Sequence, residues 1–461
     1  MAVVDAPDRG HRPSRIRVVT ALVLTMVTLG VAAGLGTAEA RSATSAGNGG
    51  TARSGGAPAG SGSASRQTAA LPLNVRQTIS TTFTFPGAAP QLAWPARGQA
   101  AMSVVGLGSL GTSGPLNTPV PIASITKTMT AYLILQDHPL ADGQNGPIIT
   151  ITASQAAVYD KEAKETDDSL VPVKAGEQLT ERDALYALML ASADNMAQVL
   201  AEWDAGSVSA FLAKMNTTAA ELGMRHTRFT DPSGLAASTT STAQDLVILG
   251  ETVMQWADFR EIVATRWAVI PVAGLIKNYN ALLGTAGVIG IKTGSTSEAG
   301  SCLLFAASVT VGGQAETVVG AVLGQYLGTG KGLLTSAMNA SAKLVSSGEK
   351  ALGTANVAMP GTALAAVDRG DQQVDLLTVD TPVTVIGWAG LSFQVLVAGE
   401  PTQAMVTVSV QSGPALDQPD PVVTATDPTP GPTTDPASAA VADAGSSPVA
   451  TAALLPLRAA P

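Results

Sequence analysis

The stretch "PIASITKTMTAYLILQ", residues 121–136, places a serine and a lysine where an apolar helix begins. Ser124 and Lys127 are three residues apart, so on a helix their side chains lie on one face. A serine hydroxyl becomes a good nucleophile when a base removes its proton, and a neutral lysine can be that base. Burial beside a second cation favours the neutral form of a lysine. The pair therefore admits acyl transfer without histidine, although a helix cap beside a solvated cation has the same spacing.

The stretch "IKTGST", residues 291–296, lies in an apolar run that is typical of a strand. Lys292 and Thr293 offer a cation and a hydroxyl donor, which together suit the binding of a carboxylate. Gly294 has no β-carbon and lets a substrate backbone approach closely. These residues predict a strand that binds a carboxylate, and a solvated lysine at a sheet edge is the alternative.

A third polar stretch, "ASADN" at residues 191–195, interrupts a helical pattern between the other two. The hydroxyl of Ser192 and the amide of Asn195 are groups that can relay a proton and hold a substrate amide. In chain order, S-x-x-K, then Ser/Asp/Asn residues, then K-T-G form the signature of penicillin-binding proteins and class A β-lactamases.

Over residues 75–348 the sequence resembles a low-molecular-weight penicillin-binding protein, a serine-type D-alanyl-D-alanine carboxypeptidase. Besides the three motifs, the resemblance rests on "MNTTAAELGMRHTRFTDPSGL", "STAQDL", "KNYNALLG" and "GIKTGSTSEAGSCLLFAAS". It implies an α/β (α+β) catalytic domain, in which a helical cluster packs on a five-stranded antiparallel sheet and the site lies between them. Two family hallmarks, "DPSGL" at 231–235 and "NYN" at 278–280, we interpret as loop structure.

The same resemblance implies a role for each residue. Ser124 would attack the carbonyl between two D-alanines of a peptidoglycan stem peptide, and Lys127 would take the serine proton. Lys292 and Thr293 would bind the terminal carboxylate, which the substrate shares with β-lactam antibiotics. Backbone N–H groups of Ser124 and Thr296 would form the oxyanion hole. The implied function is removal of the terminal D-alanine from stem pentapeptides in cell wall biogenesis, with no metal and no organic cofactor.

The second motif departs from the S-x-N that is usual in this family. If Ser192 is the motif serine, Asp194 takes the place of the asparagine; if Asn195 is the motif asparagine, Ala193 takes the place of the serine. An ionised carboxylate cannot donate a hydrogen bond. We therefore expect Asn195 to point at the substrate and Asp194 to point away and cap the following helix. We expect the Ser192 hydroxyl to relay the proton between Lys127 and the leaving group.

Three other activities fit the same motifs. A D,D-endopeptidase would act on crosslinked peptides with the same residues. A β-lactamase needs fast deacylation, and no glutamate between "SADN" and "KTG" lies in the E-x-x-x-N context that class A enzymes use. A non-catalytic muropeptide- or β-lactam-binding protein would tolerate the irregular second motif, but the intact serine, lysine and K-T-G argue against it.

Composition excludes several other classes of protein. The net charge is −9, without a Lys/Arg run beyond the first residues, which argues against nucleic-acid binding. The single cysteine, Cys302, excludes an intrachain disulfide, and its apolar run "SCLLFAASV" predicts a buried strand thiol. The three histidines have no spacing typical of a zinc site or of a serine–histidine–aspartate triad.

The N-terminal region is typical of an export signal. Arginines within residues 9–17 precede an apolar run at 18–36 and the small-residue pattern "AEA", which ends at Ala40. Residues 1–40 are therefore a cleaved signal peptide or an N-terminal membrane anchor, and both place the protein outside the cytoplasm, secreted or in the cell envelope. Residues 41–74 form a Gly/Ser/Ala-rich linker.

The C-terminal region contains two segments of different character. Residues 349–412 have short β-like runs and predict a small β-rich domain, whereas residues 413–461 are a Pro/Thr/Ala-rich tail that we expect to be disordered. The tail has no basic amphipathic face, so any membrane attachment is expected to use residues 18–36. We expect a monomer.

Local patterns predict individual elements of the catalytic domain. Thr180 and Asp183 have the spacing of a capping box at the start of a helix over residues 181–191. A further helix is expected to open at Ser207. From Gly287 onward, three short apolar runs separated by polar turns predict an antiparallel meander, followed by a terminal helix.

Overall fold

The structure, a computed structural model, describes most of the chain between residues 74 and 410. The described residues are 74–141, 143–166, 168–325, 333–368, 374–379, 381–400 and 403–410. The expected export signal or anchor, the linker up to residue 73 and the expected tail at 413–461 lie outside them.

The described residues contain eight α-helices, and a 3₁₀ turn at Ala123–Thr126 leads into the first of them. The helices are α1 (Lys127–Asp137), α2 (Ala153–Glu165), α3 (Glu181–Met189), α4 (Asp194–Ala205), α5 (Val208–Glu221), α6 (Ala243–Val253), α7 (Ala257–Ala264) and α8 (Leu333–Ala351).

The strands are numbered along the chain. They are β1 (Asn74–Gln77), β2 (Thr82–Thr84), β3 (Gln99–Val104), β4 (Gly108–Ser113), β5 (Val120–Pro121), β6 (Ile148–Thr150), β7 (Gln178–Thr180), β8 (Thr240–Ser241), β9 (Trp267–Ile270), β10 (Gly274–Lys277), β11 (Val288–Thr296), β12 (Gly300–Val311), β13 (Gln314–Leu323), β14 (Gly353–Ala358), β15 (Ala363–Asp368), β16 (Val374–Thr378), β17 (Val383–Gly387), β18 (Ser392–Glu400) and β19 (Gln403–Val410).

Five strands form the central sheet, in the order β11-β12-β13-β3-β4, and every pair in it is antiparallel. The expected five-stranded antiparallel sheet is confirmed, and β11 to β13 are the expected meander. Lys292 on β11 faces Leu304 on β12, and Thr293 faces Leu303. This register fixes the K-T-G residues in the strand at one edge of the sheet.

Helices cover one face of the sheet, and α8 with the C-terminal strands covers the other. On the helical face, α6 crosses β3, β12 and β13, while α7 lies on β11. The two apolar cores on either side of the sheet are distinct. Since both faces of β12 are covered, its sequence is a continuous apolar run rather than an alternating one.

The expected helix starts are confirmed. Thr180 and Asp183 form the reciprocal capping box of α3, with the Thr180 hydroxyl accepting from the Asp183 N–H at 3.1 Å. The Ser207 hydroxyl accepts from the N–H of Ala210 at 3.2 Å and caps α5. These caps satisfy N–H groups that have no partner inside the helix.

The C-terminal strands form small antiparallel sheets that include the first two strands of the described chain. β1 pairs with β15, and β2 pairs with β18. The sequence predicts a linker up to residue 74 and a catalytic domain over residues 75–348, whereas these two strands are hydrogen-bonded to the β-rich region that follows α8. β1 has four residues and β2 has three. The sequence of so short a strand does not indicate which distant strand it pairs with.

Candidate active site

Ser124 lies on the 3₁₀ turn between β5 and α1, where two glycines approach it. A β-carbon on Gly294 would lie 3.0 Å from the carbonyl oxygen of Ile122 and 3.1 Å from the nitrogen of Ser124. A β-carbon on Gly234 would lie 1.8 Å from the carbonyl oxygen of Ala123. Gly294 thus allows β11 to pack against the protein's own serine turn. The sequence predicts that Gly294 lets a substrate backbone approach closely. In the structure, the backbone that lies close to Gly294 is that of the serine turn.

Lys127 is the first residue of α1, and its side chain is fully buried. Its Nζ donates to the Ser124 Oγ at 2.9 Å, to the Asp194 Oδ1 at 2.6 Å and to the Ser233 carbonyl oxygen at 2.9 Å. A lysine ammonium has three N–H groups and no acceptor. The three acceptors match in number the N–H groups of a lysine ammonium.

Asp194 faces Lys127 from the first turn of α4. Its Oδ2 accepts from the backbone N–H of Ser169 at 3.1 Å, so both carboxylate oxygens have donors. The expectation that Asp194 points away from the site and acts as a helix cap is wrong. A buried ammonium requires a counter-charge, and Asp194 provides it.

Asn195 points to the opposite side, into the segment that follows α2. Its Oδ1 accepts from the N–H of Val171 at 3.2 Å, and its Nδ2 donates to the carbonyl oxygen of the same residue at 2.9 Å. The expectation that Asn195 points at the substrate is therefore wrong, because the backbone of Val171 is buried and takes both of its polar groups. Of the two alignments of the second motif, this geometry supports the one from Ser192 to Asp194.

Ser192 lies in the break between α3 and α4 that the sequence predicts. Its backbone has φ = 61°, and its side chain is buried. A non-glycine residue in this left-handed region carries strain of a kind that clusters at active sites. Its role as a proton relay stays a prediction.

Lys292 is buried beneath the serine turn and donates to the carbonyl oxygen of Thr293 at 3.1 Å. Burial lowers the pKa of Lys292 well below its ordinary value, the charge of Lys127 lowers it further, and Asp194 raises it. Thr293 is also buried. Both side chains are buried and are not among the described residues that line the cleft, and their carboxylate-binding role stays a prediction.

An open cleft of about 310 Å³ lies in front of Ser124. The described residues that line it are Ser124, Asp168, Ser169, Asp194, Gly234, Leu235, Ser295, Thr296, Ser297 and Glu298. Ser124, the nucleophile candidate, and Thr296, the other residue assigned to the oxyanion hole, thus line the same cavity. Thr296, at the end of β11, is where the sequence predicts the second oxyanion N–H.

The sequence matches the family model described as D-alanyl-D-alanine carboxypeptidase over residues 110–325. A D-alanyl-D-alanine carboxypeptidase from a Streptomyces species is 35% identical over 218 residues, which are 43% of this chain and 71% of that relative. This chain belongs to the D-alanyl-D-alanine carboxypeptidase family. A D-alanyl-D-alanine endopeptidase from Pseudomonas aeruginosa is 31% identical over 202 residues, which are 41% of this chain and 60% of that relative's length.

The fold agrees with the family. A peptidoglycan synthesis regulatory factor from Streptococcus pneumoniae has a similar structure, with a TM-score of 0.54 and 20% identity. The match covers 69% of this chain and 92% of that structure.

The "DPSGL" loop, which lies between α5 and β8, also positions a contact to Lys127. The Oδ2 of Asp231 accepts from the N–H groups of Gly234 at 2.7 Å and Leu235 at 2.9 Å. The carboxylate thereby fixes the loop conformation in which the Ser233 carbonyl reaches Lys127. Sequence reasoning treated the loop as structural and missed this contact, because a backbone carbonyl leaves no signal in residue type.

Two other expectations concern groups away from the cleft. Cys302 is the expected buried strand thiol on β12, and burial raises its pKa to about 12. The Nδ2 of Asn278, in "NYN", donates to the carbonyl oxygen of Thr265 at 3.0 Å and so connects the ends of two loops. Within the described residues, no cluster of three or more His, Cys, Asp or Glu side chains has the arrangement of a metal site.

Proposed function

We propose that this chain is a serine-type D-alanyl-D-alanine carboxypeptidase, which removes the terminal D-alanine from peptidoglycan stem peptides through an acyl-enzyme. The observation that carries the proposal is the 2.9 Å hydrogen bond between the Nζ of Lys127 and the Oγ of Ser124, at the wall of an open cleft. The Streptomyces relative bears the same name.

Acylation begins when Lys127 is neutral. As the Oγ of Ser124 bonds to the carbonyl carbon between two D-alanines, its proton moves to the Nζ of Lys127. The backbone N–H groups of Ser124 and Thr296 stabilise the oxyanion of the tetrahedral intermediate. The carbon–nitrogen bond then breaks, the leaving D-alanine nitrogen takes a proton from the lysine, and water hydrolyses the ester in the second half of the reaction.

The substrate's terminal carboxylate is assigned to the K-T-G end of the cleft. Lys292 is buried on the same strand, where burial favours its neutral form, and a carboxylate bound at that end of the cleft would favour its ammonium form. β-Lactam antibiotics carry an equivalent carboxylate and would acylate Ser124 in the same way. A neutral, amidated peptide is therefore expected to be a poor substrate.

A D,D-endopeptidase acting on crosslinked stem peptides is the second candidate. The Pseudomonas relative is named as an endopeptidase, and the same serine and lysine serve both reactions. Release of D-alanine from a monomeric peptide, compared with cleavage of a crosslinked dimer, separates the two activities.

The protein is further proposed to act outside the cytoplasm, as a monomer, in cell wall biogenesis. The sequence signal for export at residues 1–40 supports this location. Among the described helices, none combines the length and the apolar character that a membrane span requires.

The proposed function is tested with diacetyl-lysyl-D-alanyl-D-alanine and with a labelled penicillin. We expect D-alanine release and a covalent adduct on Ser124, and Ser124→Ala should lower the rate by about 10³-fold or more. The control is Ser154→Ala, at the exposed start of α2 and outside the cleft. An adduct on another residue, or full activity of Ser124→Ala, would contradict the proposal.

A further inference from the structure

The position where the family usually has an amide carries a carboxylate in this chain. The Oδ1 of Asp194 forms a salt bridge with the Nζ of Lys127 at 2.6 Å. A second buried lysine, Lys292, interacts electrostatically with both residues. Both lysines are buried, and Asp194 lines the open cleft. Of the two lysines, Lys127 is the one that forms the salt bridge with Asp194, whereas burial lowers the pKa of Lys292 well below its ordinary value.

We propose that Asp194 is a positioning residue that holds Lys127 in its ammonium form, so that Ser124 is acylated only in molecules whose Lys127 has lost a proton. The inference rests on the proposed function of Ser124 and Lys127. It goes beyond that function because it makes the acylation of Ser124 depend on pH through Asp194, the residue that departs from the family motif.

The hydrogen bonds around Lys127 show how this control arises. When all three N–H groups are donated, the Ser124 Oγ receives a hydrogen bond from the lysine and cannot pass its own proton to it. The carboxylate form of Asp194 is stabilised further by the N–H of Ser169. An asparagine at this position would still accept a hydrogen bond from Lys127, but it would not hold the proton there by charge.

Other titratable groups face this cluster from each neighbouring element. Lys292 approaches from β11, Glu162 from α2, Asp168 from the loop after α2 and Glu298 from the loop after β11. Burial raises the pKa of Glu162, as do the charges of Asp168 and Asp194. Among the described residues, Asp194 is the carboxylate that bonds Lys127 directly. Its removal should therefore have a larger effect than removal of any other acid in the group.

The experiment measures the second-order rate constant of acylation by a labelled penicillin between about pH 6 and about pH 9, the range below the ordinary titration of lysine. For the native protein we expect a rate that rises with pH. For Asp194→Asn we expect the midpoint of the profile to move to lower pH by about 1 to 3 units, the usual effect of one close opposite charge. At neutral pH this variant should be acylated at least about 10-fold faster.

Glu162→Gln is the matched control, because it removes a negative charge that interacts with Asp194 without a hydrogen bond to Lys127. We expect its profile to follow that of the native protein. Thermal unfolding of each variant shows whether it is folded at the temperature of the assay.

Three outcomes would overturn the inference. They are an Asp194→Asn protein that is slower at every pH, a profile whose midpoint does not move, and a native profile that is flat over the whole range. The last needs no variant, so a folding failure of Asp194→Asn leaves the test intact. Failure of the proposed function is a different result, namely the lack of any adduct on Ser124 of the native protein.

Discussion

Asp194 and Asn195 are neighbours in the chain, but their side chains leave α4 in different directions. Successive residues of a helix are rotated by about 100°, so one of the pair faces Lys127 and the other faces Val171. The sequence identifies the polar stretch and its place at a helix break. It does not indicate which residue of α4 faces the cleft. The expectation that Asn195 points at the substrate rested on its hydrogen-bond donors alone, and the structure turns Asp194 to Lys127 instead.

For the other site residues too, the sequence indicates the chemical groups but not the contacts that they make. The sequence indicates the type of group at Ser124, Lys127 and Lys292, because nucleophile, base and cation are properties of side chains. The contact of the Ser233 carbonyl with Lys127 could not be predicted, since any residue has a carbonyl. The packing of Gly294 on the serine turn depends on two segments that are far apart in the chain.

Glu181, at the start of α3, gives a prediction about pH and stability. Its side chain is buried, neither carboxylate oxygen has a hydrogen-bond partner, and burial raises its pKa to about 7. In the unfolded chain the carboxyl ionises near its ordinary value of 4.5. The folded state therefore binds the proton more tightly, and the free energy of unfolding should fall as pH rises from about 4.5 to about 7 and then level off.

The loss over this range should be up to about 3 kcal/mol. Glu181→Gln should remove this part of the pH dependence and be more stable than the native protein at neutral pH. Urea unfolding at a series of pH values measures both effects. A Glu181→Gln protein that keeps the native pH dependence would show that the carboxyl is already ionised in the folded state.

At the scale of elements, local signals were sufficient where a pattern of three or four residues decides the structure. The capping box of α3 and the runs of β11 to β13 are of this kind. The helix α2 was not predicted, because it is a charged surface helix with one buried side chain, Ala156, and so has no apolar period. The pairing of β3 with β13 joins segments more than 200 residues apart, and only the family resemblance implied it.

The contact between β11 and the serine turn gives a prediction at this scale. A β-carbon on Gly294 would lie 3.0 Å from the Ile122 carbonyl oxygen and 3.1 Å from the Ser124 nitrogen, so Gly294→Ala should push the strand away from the turn. Overpacking of this kind costs about 1–3 kcal/mol of stability. The displacement also changes the spacing of the two oxyanion N–H groups. We expect penicillin acylation to fall by about 10²-fold, the effect of losing one oxyanion donor.

Gly250→Ala is the matched control for this prediction. Its β-carbon would lie 2.7 Å from a methyl group of Val319, between α6 and the sheet and away from the serine turn. Both variants should lower the free energy of unfolding, which urea titration measures. If both also slow acylation equally at a temperature where they are folded, the effect is one of general stability and the role of Gly294 in aligning the strand is not supported.

At the scale of the whole molecule, composition predicts a β-rich region after the catalytic domain but not how the two join. The expected β-rich domain at 349–412 contains strands β14 to β19 within the described residues, yet it also recruits β1 and β2 from the other end of the chain. Phe85 follows β2, and its backbone N–H donates a hydrogen bond to the carbonyl oxygen of Leu391 at 2.8 Å. Such long-range contacts depend on the folded topology, which a linear pattern does not contain.

The apolar core on the outer face of the sheet is continuous from the catalytic sheet to the C-terminal strands. It includes Met102 and Phe305 of the sheet, Leu344 of α8, and Trp388 and Phe393 of the C-terminal region. A shared core couples the unfolding of the parts that it joins. The predicted domains should therefore unfold as one cooperative unit in this chain.

Trp388→Ala tests this coupling. Trp388 is buried in the shared core, and loss of such a side chain costs about 3–5 kcal/mol. We expect a lower melting temperature both by far-ultraviolet circular dichroism and by loss of penicillin acylation after heating, and we expect the two curves to coincide. Leu396→Ala, at a half-exposed position of β18, is the control and should shift both curves much less. Retention of acylation after the circular dichroism transition of Trp388→Ala would mean that the catalytic part remains folded by itself, and the shared core would then contribute little to its stability.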